Sequence, residues 1–253
     1  MLDSIILIHG LSGNATDMEY IAGRVAGQAR MISNRDLPGH GIPGDGLGPE
    51  SLLRVTMSDW IEAVEEEIRS TKGSLGIVGQ SMGALLAIHS AVKHADRVKG
   101  IALLSPAIKL YGRLNRLSIS LIYLWSRAMR LPDLFYTKVN GPDIADAAVK
   151  MSYTAYDRIP IHALAEFERL RRLVMGLLGG LTAPLLIVYS KNDHTIARDA
   201  VEIIDRKVAS PVKEIRSVND SFHVVSIDRD RESVAGVTER FFRHINNTMR
   251  GGK

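Results

Sequence analysis

Three residues of this chain have the types, and the order, that acyl transfer by a serine requires: Ser81, Asp193 and His223. A serine hydroxyl is a poor nucleophile until a base takes its proton, and an imidazole base needs a third group to fix its tautomer and orientation. Ser81 lies in the stretch Leu75 to Ala87, LGIVGQSMGALLA. The apolar run Leu75 to Val78 reads as a buried strand, and Ala84, Leu85, Ile88 and Ala91 recur as on a helix. A Gly-x-Ser-x-Gly turn between strand and helix has the pattern of a nucleophile elbow. Gly79 and Gly83 have a steric reason to be glycine, since strand and helix must pass close together there. The helix beginning at Ser81 also aims its unpaired N–H groups and positive dipole end at whatever the serine attacks.

The partners are expected where short loops leave the ends of later strands. Asp193, in SKNDHTI, follows the apolar run PLLIVYS, and His223, in NDSFHVVSIDRD, follows the last expected strand. The order serine, acid, histidine is the one this type of turn predicts. Among competitors, His194 shares the loop of the acid and is expected to point elsewhere. His244 falls in the last helical pattern, where it is expected to be buried, and Asp220 shares the loop of the histidine. A developing oxyanion needs two preorganised N–H donors. One is expected from Met82, the residue after the nucleophile, and the other from Leu11, in the loop His9-Gly10-Leu11-Ser12-Gly13. His9 is read as a brace for that loop.

The elements that must position these groups alternate. Ser4–Ile8 reads as a strand, Thr16–Arg30 as a helix with a Thr-Asp start, and Met31–Asn34 as a short strand. An ordered Gly- and Pro-rich loop, Arg35 to Pro49, follows. Ser58–Thr71 is a helix carrying Trp60, Ile61, Val64 and Ile68, with Ser58 as its N-cap. The elbow comes next, then a strand at Gly100–Leu104. From about Tyr111 to Gly180 no strand is apparent, and helices are expected near Leu114–Arg130, Gly141–Ser152 and Ile161–Leu178. Alternation resumes with a strand at Pro184–Ser190, a helix near Ala197–Lys207, a strand at Val212–Val218 and a helix near Ser233–Asn246. Strands apolar on both faces imply a parallel sheet covered by helices on both sides. Residues 1–110 and 181–253 are therefore expected to form an α/β core. Residues 111–180 are expected to form a helical cap over the C-terminal sheet edge, where open α/β folds bind ligands.

Composition narrows the function classes. The 253 residues, 45% hydrophobic, suffice for one large α/β domain, and the absence of cysteine excludes disulfides, thiolate metal sites and a cysteine nucleophile. The start MLDSIILIHG is acidic where a secretory leader would be basic, and no stretch reaches the roughly 18–20 apolar residues of a membrane span. The expectation is a soluble, cytoplasmic protein. A net charge of +4 with pI near 9.3 arises without any run of basic residues, which argues against nucleic acid as partner. Between Tyr111 and Arg172 stand ten Lys and Arg against six Asp and Glu, which is the whole of that excess.

Taken together, HGLSGN from His9, the PGHG loop from Pro38, GQSMG from Gly79, SKND ending at Asp193 and SFH ending at His223 resemble the α/β-hydrolase superfamily. More narrowly, the chain resembles the compact bacterial carboxylesterases and monoacylglycerol lipases. They carry a segment similar to SPVKEI, Ser210 to Ile215, ahead of the histidine loop. The resemblance covers Ser4 to about Leu104 and Pro184 to about Phe242. It implies a sheet of six or seven mostly parallel strands, ester hydrolysis through an acyl-serine, and no cofactor or metal. Two positions depart from the pattern. Phe222 stands where glycine commonly precedes the histidine, and Ser190 stands where glycine or alanine is frequent. The Phe222 ring is a candidate for lining the acyl pocket.

The segment from Leu114 places Leu117, Leu121, Leu124, Trp125 and Ala128 along one helical stripe flanked by Arg113, Arg116, Arg127 and Arg130. Such a stripe either packs on the body of the protein or offers Leu121, Leu124 and Trp125 to an acyl chain or, transiently, to a lipid surface. The second option favours short- to medium-chain acyl esters, monoacylglycerols among them. Carbon–carbon hydrolysis and acyl transfer would use the same three residues, and a non-catalytic receptor on the same fold is the alternative outside enzymes. A serine rather than an aspartate at position 81 argues against dehalogenase and epoxide hydrolase chemistry.

Overall fold

In the computed structural model, residues 1–44, 46–111, 121, 124, 125, 128, 133–138 and 141–251 are described. The strands β1 (Leu2–Ile8), β2 (Ala29–Asn34), β3 (Leu75–Gln80) and β4 (Val98–Leu104) precede a long insertion. The strands β5 (Phe135–Thr137) and β6 (Arg158–Pro160) lie within it, and β7 (Leu185–Ser190) and β8 (Lys213–Val218) follow it. The helices are α1 (Glu19–Val25), α2 (Met57–Ser70), α3 (Met82–Lys93), α4 (Ala147–Ser152), α5 (Ile161–Leu177), α6 (Ala200–Lys207) and α7 (Arg231–Gly251).

Six strands form one sheet in the order β2-β1-β3-β4-β7-β8, every neighbouring pair parallel. The side chains alternate between two apolar layers, as the twofold period of a strand requires. Ile6, Ile8, Ile77 and Leu103 pack with Trp60 and Val64 of α2, Leu85 and Ile88 of α3, and Phe167 and Leu170 of α5. Ile5, Leu7, Val78 and Leu104 pack on the other face with Ile21 of α1 and with Phe241, Phe242 and Ile245 of α7. Continuous apolar strands are the mark of a sheet buried on both faces. The register sets Ile8 beside Gly79, Gly79 beside Leu103, and Ser190 beside Val218. Loops after β1, β3, β7 and β8 therefore open on one edge. The strand order reverses between β1 and β3, where a crevice forms in doubly wound sheets.

Several local expectations are corrected. The helix expected over Thr16–Arg30 is α1 alone, flanked by 3-10 turns at Ala15–Met18 and Ala26–Gln28, and the first of these turns is capped by Asn14, whose side chain accepts from the Thr16 N–H. The N-cap of α2 is Thr56 rather than Ser58. Its hydroxyl accepts from the Asp59 N–H, and the Asp59 carboxylate accepts from the Thr56 N–H, a reciprocal capping box. Helix α4 starts only at Ala147, after Gly141 at φ 67° and Pro142, with Asp146 accepting from the Ala148 and Val149 N–H groups. A two-stranded antiparallel ribbon, β5 with β6, lies where no strand was apparent. The helix expected at Leu114–Arg130 lies outside the described residues except at Leu121, Leu124, Trp125 and Ala128, all four helical. Among the described residues, no helix is long and apolar enough to cross a membrane.

Candidate active site

Ser81 sits between β3 and α3 with φ 55° and ψ −110°, a conformation that costs energy for a residue with a side chain. The turn is held by the Ser81 N–H donating to the Leu104 carbonyl and by the Ala84 and Ala107 N–H groups donating to the Ser81 carbonyl. A β-carbon at Gly79 would collide with the Gly83 carbonyl, and one at Gly83 with the Ile8 carbonyl. Both glycines thus let α3 pass directly over the strand ends.

His223 bridges Ser81 and Asp193. Its Nε2 lies 2.8 Å from Ser81 Oγ and its Nδ1 lies 2.7 Å from Asp193 Oδ2. Asp193 Oδ1 accepts from the N–H groups of Thr195 and Ile196, which orients the carboxylate and leaves Oδ2 for the ring. Burial alone would push the His223 pKa down. The facing Asp193 charge and its hydrogen bond outweigh that and hold it above the ordinary 6.5. Burial likewise pushes Asp193 up, but the His223 charge and hydrogen bond, with the two N–H donors, leave it below the ordinary carboxylate range. Asp193 is thus held ionised, and the His223 ring binds its proton more tightly than a free imidazole does.

The loop after β1 closes the site from the other side of the crevice. Gly10 is packed directly against Ser81, where an added β-carbon would lie 3.1 Å from Ser81 Cβ. Met82, first residue of α3, has an N–H without a partner inside the helix. The Leu11 N–H takes no part in the backbone hydrogen bonds described for its loop. His9 is fully buried, with Nδ1 donating to the Gly10 carbonyl at 2.8 Å and Nε2 accepting from the Leu37 N–H at 2.9 Å. Burial depresses its pKa, so it is a neutral brace between this loop and the segment after β2.

The competitors lie apart from this arrangement. His194 is exposed, bonds to Asp143 and meets the edge of the Phe222 ring at 4.6 Å. Asp220 is exposed, and its N–H donates to Asp230. His244, expected to be buried, is exposed on the outer face of α7. Of the two departures from the family pattern, Ser190 has a local reason. Ser190 Oγ donates to the Ser221 carbonyl and accepts from the Asn192 N–H, tying the acid loop to the histidine loop. The Phe222 N–H donates to Asp228 Oδ2 at 2.8 Å.

Contacts from the insertion escaped the sequence. Lys138 Nζ donates to Ser12 Oγ at 2.6 Å, the Tyr156 N–H donates to the Ser12 carbonyl, and Tyr153 donates its hydroxyl proton to Asp17 Oδ2 at 2.8 Å. Burial pushes Lys138 down to about 8 and pushes Asp17 up to about 6. Gln80, next to Ser81, donates from Nε2 to the His223 carbonyl at 3.0 Å. These partners are polar residues up to 143 positions apart and belong to no repeating pattern, so nothing in their spacing announces them.

Comparison with known proteins gives the same fold and a family. A solved structure from work on the metagenome-derived lipolytic enzymes LipS and LipT superimposes with a TM-score of 0.82 at 24% identity, over 95% of this chain and 93% of that one. A thermostable monoacylglycerol lipase from Bacillus sp. (strain H-257) is 25% identical over 241 residues, 94% of this chain and 89% of the lipase. A carboxylesterase from Bacillus subtilis (strain 168) is 22% identical over 237 residues, covering 91% of this chain and 88% of the esterase. The family model Hydrolase_4, described as serine aminopeptidase, S33, matches residues 2–230. The chain belongs to that family and is a serine hydrolase with the α/β-hydrolase fold, related to carboxylesterases and monoacylglycerol lipases.

Proposed function

We propose that the protein hydrolyses carboxylic esters through an acyl-enzyme on Ser81, with His223 as general base and acid and Asp193 as its orienting carboxylate. The observation that carries this reading is the His223 ring bonded at once to Ser81 Oγ and Asp193 Oδ2. As Ser81 Oγ attacks the ester carbonyl, its proton passes to Nε2 and the carbonyl electrons move onto oxygen. The Leu11 and Met82 N–H groups receive that oxyanion. Collapse breaks the bond to the alcohol, which leaves with the proton from Nε2. Water then repeats both steps on the acyl-serine, releasing the acid and restoring Ser81.

The substrates proposed are short- to medium-chain acyl esters, monoacylglycerols among them, with residues 111–180 acting as a cap. Leu121, Leu124 and Trp125 are 62%, 62% and 57% exposed, and Met151 is 88% exposed. Side chains this open suit contact with an acyl chain or a lipid surface better than a sealed tunnel. The family description raises a second reading, an aminopeptidase. Such an enzyme must hold a protonated α-amine near the scissile bond, whereas the charged group bonded to Ser12 of the oxyanion loop is the Lys138 ammonium. Like charges there oppose that substrate.

Hydrolysis rates for p-nitrophenyl esters of rising acyl length, beside aminoacyl p-nitroanilides, test the proposal on the wild type and Ser81→Ala. Ester turnover confined to the wild type and peaking at medium chains is expected. Turnover of the anilides alone would make the protein a peptidase, and full activity in Ser81→Ala would refute the nucleophile.

A further inference from the structure

Asp143 enters neither the elbow nor the proposed triad, yet it touches both loops that carry the partners of Ser81. It lies in the insertion, in the sequence GPDI, between Pro142 and the buried Ile144. Its carbonyl oxygen accepts from the N–H groups of His223 at 3.0 Å and Val224 at 3.3 Å. Its carboxylate faces the other way. Oδ2 accepts from the His194 N–H at 3.0 Å and from the Thr195 hydroxyl at 2.9 Å, and Oδ1 lies 2.9 Å from His194 Nδ1. One residue thus fixes the backbone of the base and the loop that starts at Asp193.

Asp228 completes the arrangement from the core. This buried carboxylate accepts through Oδ2 from the N–H groups of Ala145 and Phe222, both at 2.8 Å, and through Oδ1 from the Asp146 N–H at 2.9 Å. The segment 143–146 is therefore bonded to the histidine loop on both sides of His223. Buried carboxylates that accept several N–H bonds are expensive to leave unpaired, so such a seam holds its geometry.

We propose that Asp143 is a positioning residue of the site: its carbonyl and carboxylate set the distance between His223 and Asp193, and its charge supports the imidazolium that forms during the reaction. This rests on the reading of Ser81, His223 and Asp193 as the reacting groups. The charges acting on His223 are those of Asp193 and Asp143, which favour the imidazolium, and of Lys138, which opposes it. The group facing the Asp143 carboxylate is His194. Removing the Asp143 charge destabilises the protonated ring, so the acid limb of the rate must move to lower pH.

The test compares kcat, KM and the pH dependence of kcat/KM for wild type, Asp143→Asn, Asp143→Glu and Ser81→Ala on one p-nitrophenyl ester, with circular dichroism to establish folding. Asp143→Asn is expected to lower kcat by about 10- to 100-fold with KM within about twofold, and to shift the acid limb downward. Asp143→Glu, which keeps the charge, should hold the limb near the wild-type position. An Asp143→Asn enzyme with wild-type kcat and an unmoved limb would overturn the proposal while leaving the triad intact. If Asp143→Asn fails to fold, the comparison passes to Asp143→Glu and His194→Gln, which respectively displace the carboxylate and remove its side-chain partner. Wild-type kcat in both would overturn the proposal. Undiminished activity in Ser81→Ala would instead refute the underlying reading, and the role of Asp143 with it.

Discussion

The elbow and the insertion are built by opposite means. Around Ser81, apolar strands and close backbone contacts leave almost no freedom: β3 is buried along its whole length, and Gly79 and Gly83 exist to let α3 cross it. The insertion reaches the same site through polar seams, Lys138 on Ser12, Tyr153 on Asp17 and Asp143 on both partner loops. The first kind of construction fixes where Ser81 stands. The second adjusts what surrounds it, and it can change residue by residue without unmaking the sheet.

The comparison breaks most sharply at the groups proposed to react. Ser81→Ala or His223→Ala should lower kcat by about 10⁴- to 10⁶-fold, with thermal unfolding close to that of the wild type. A large loss of stability in either variant would mean that these side chains are structural. Next comes the elbow. Gly83→Ala drives a β-carbon into the Ile8 carbonyl and should cost on the order of 2–4 kcal/mol in urea unfolding. A wild-type midpoint would show that the crossing of strand and helix is looser than described.

The pH profile sharpens the contrast further. Since Asp193 raises the His223 pKa and only the neutral ring can act as base, kcat/KM should fall with acidification through a midpoint above 6.5. A midpoint below 6.5 would mean that burial outweighs the acid. The smallest effect belongs to the seams. Asp17 is buried and its folded pKa of about 6 exceeds the ordinary 3.8, so ionisation disfavours the folded state. That cost is absent below about pH 4, grows as pH rises, and is complete above 6. The stability difference between wild type and Asp17→Asn should therefore change by up to about 3 kcal/mol across this window, in favour of the variant. A pH-independent difference would return Asp17 to an ordinary solvated acid.

What could be read from the sequence follows the same division. The apolar runs of β1, β3, β4 and β7, the glycine-flanked serine and the acid and histidine at later strand ends are patterns of local spacing, whereas the edge strands β2 and β8 are mixed in polarity. Local spacing is what a sequence displays. Thr56 displaced Ser58 as cap because Asp59 could return its hydrogen bond, a choice between two good candidates two residues apart. The ribbon of β5 and β6 is three residues a side and lacks the length for a periodic signal. His244 fell in an apolar helical pattern but lies on its outward face. The roles of Asp143, Asp228 and Lys138 arise only once distant loops meet, and a lone charged residue in a loop looks the same whether or not it has such a role.

The hydrogen bond from Gln80 to the His223 carbonyl joins the residue before Ser81 to the backbone of His223, 143 positions later. During synthesis the elbow is made first and must wait, with the Gln80 amide unpaired in this contact, until the histidine loop has emerged. Domains fold largely as units, so a nascent chain stopped between these two points holds a serine without its base. On the proposed mechanism, reactivity therefore waits for the histidine loop to take its place.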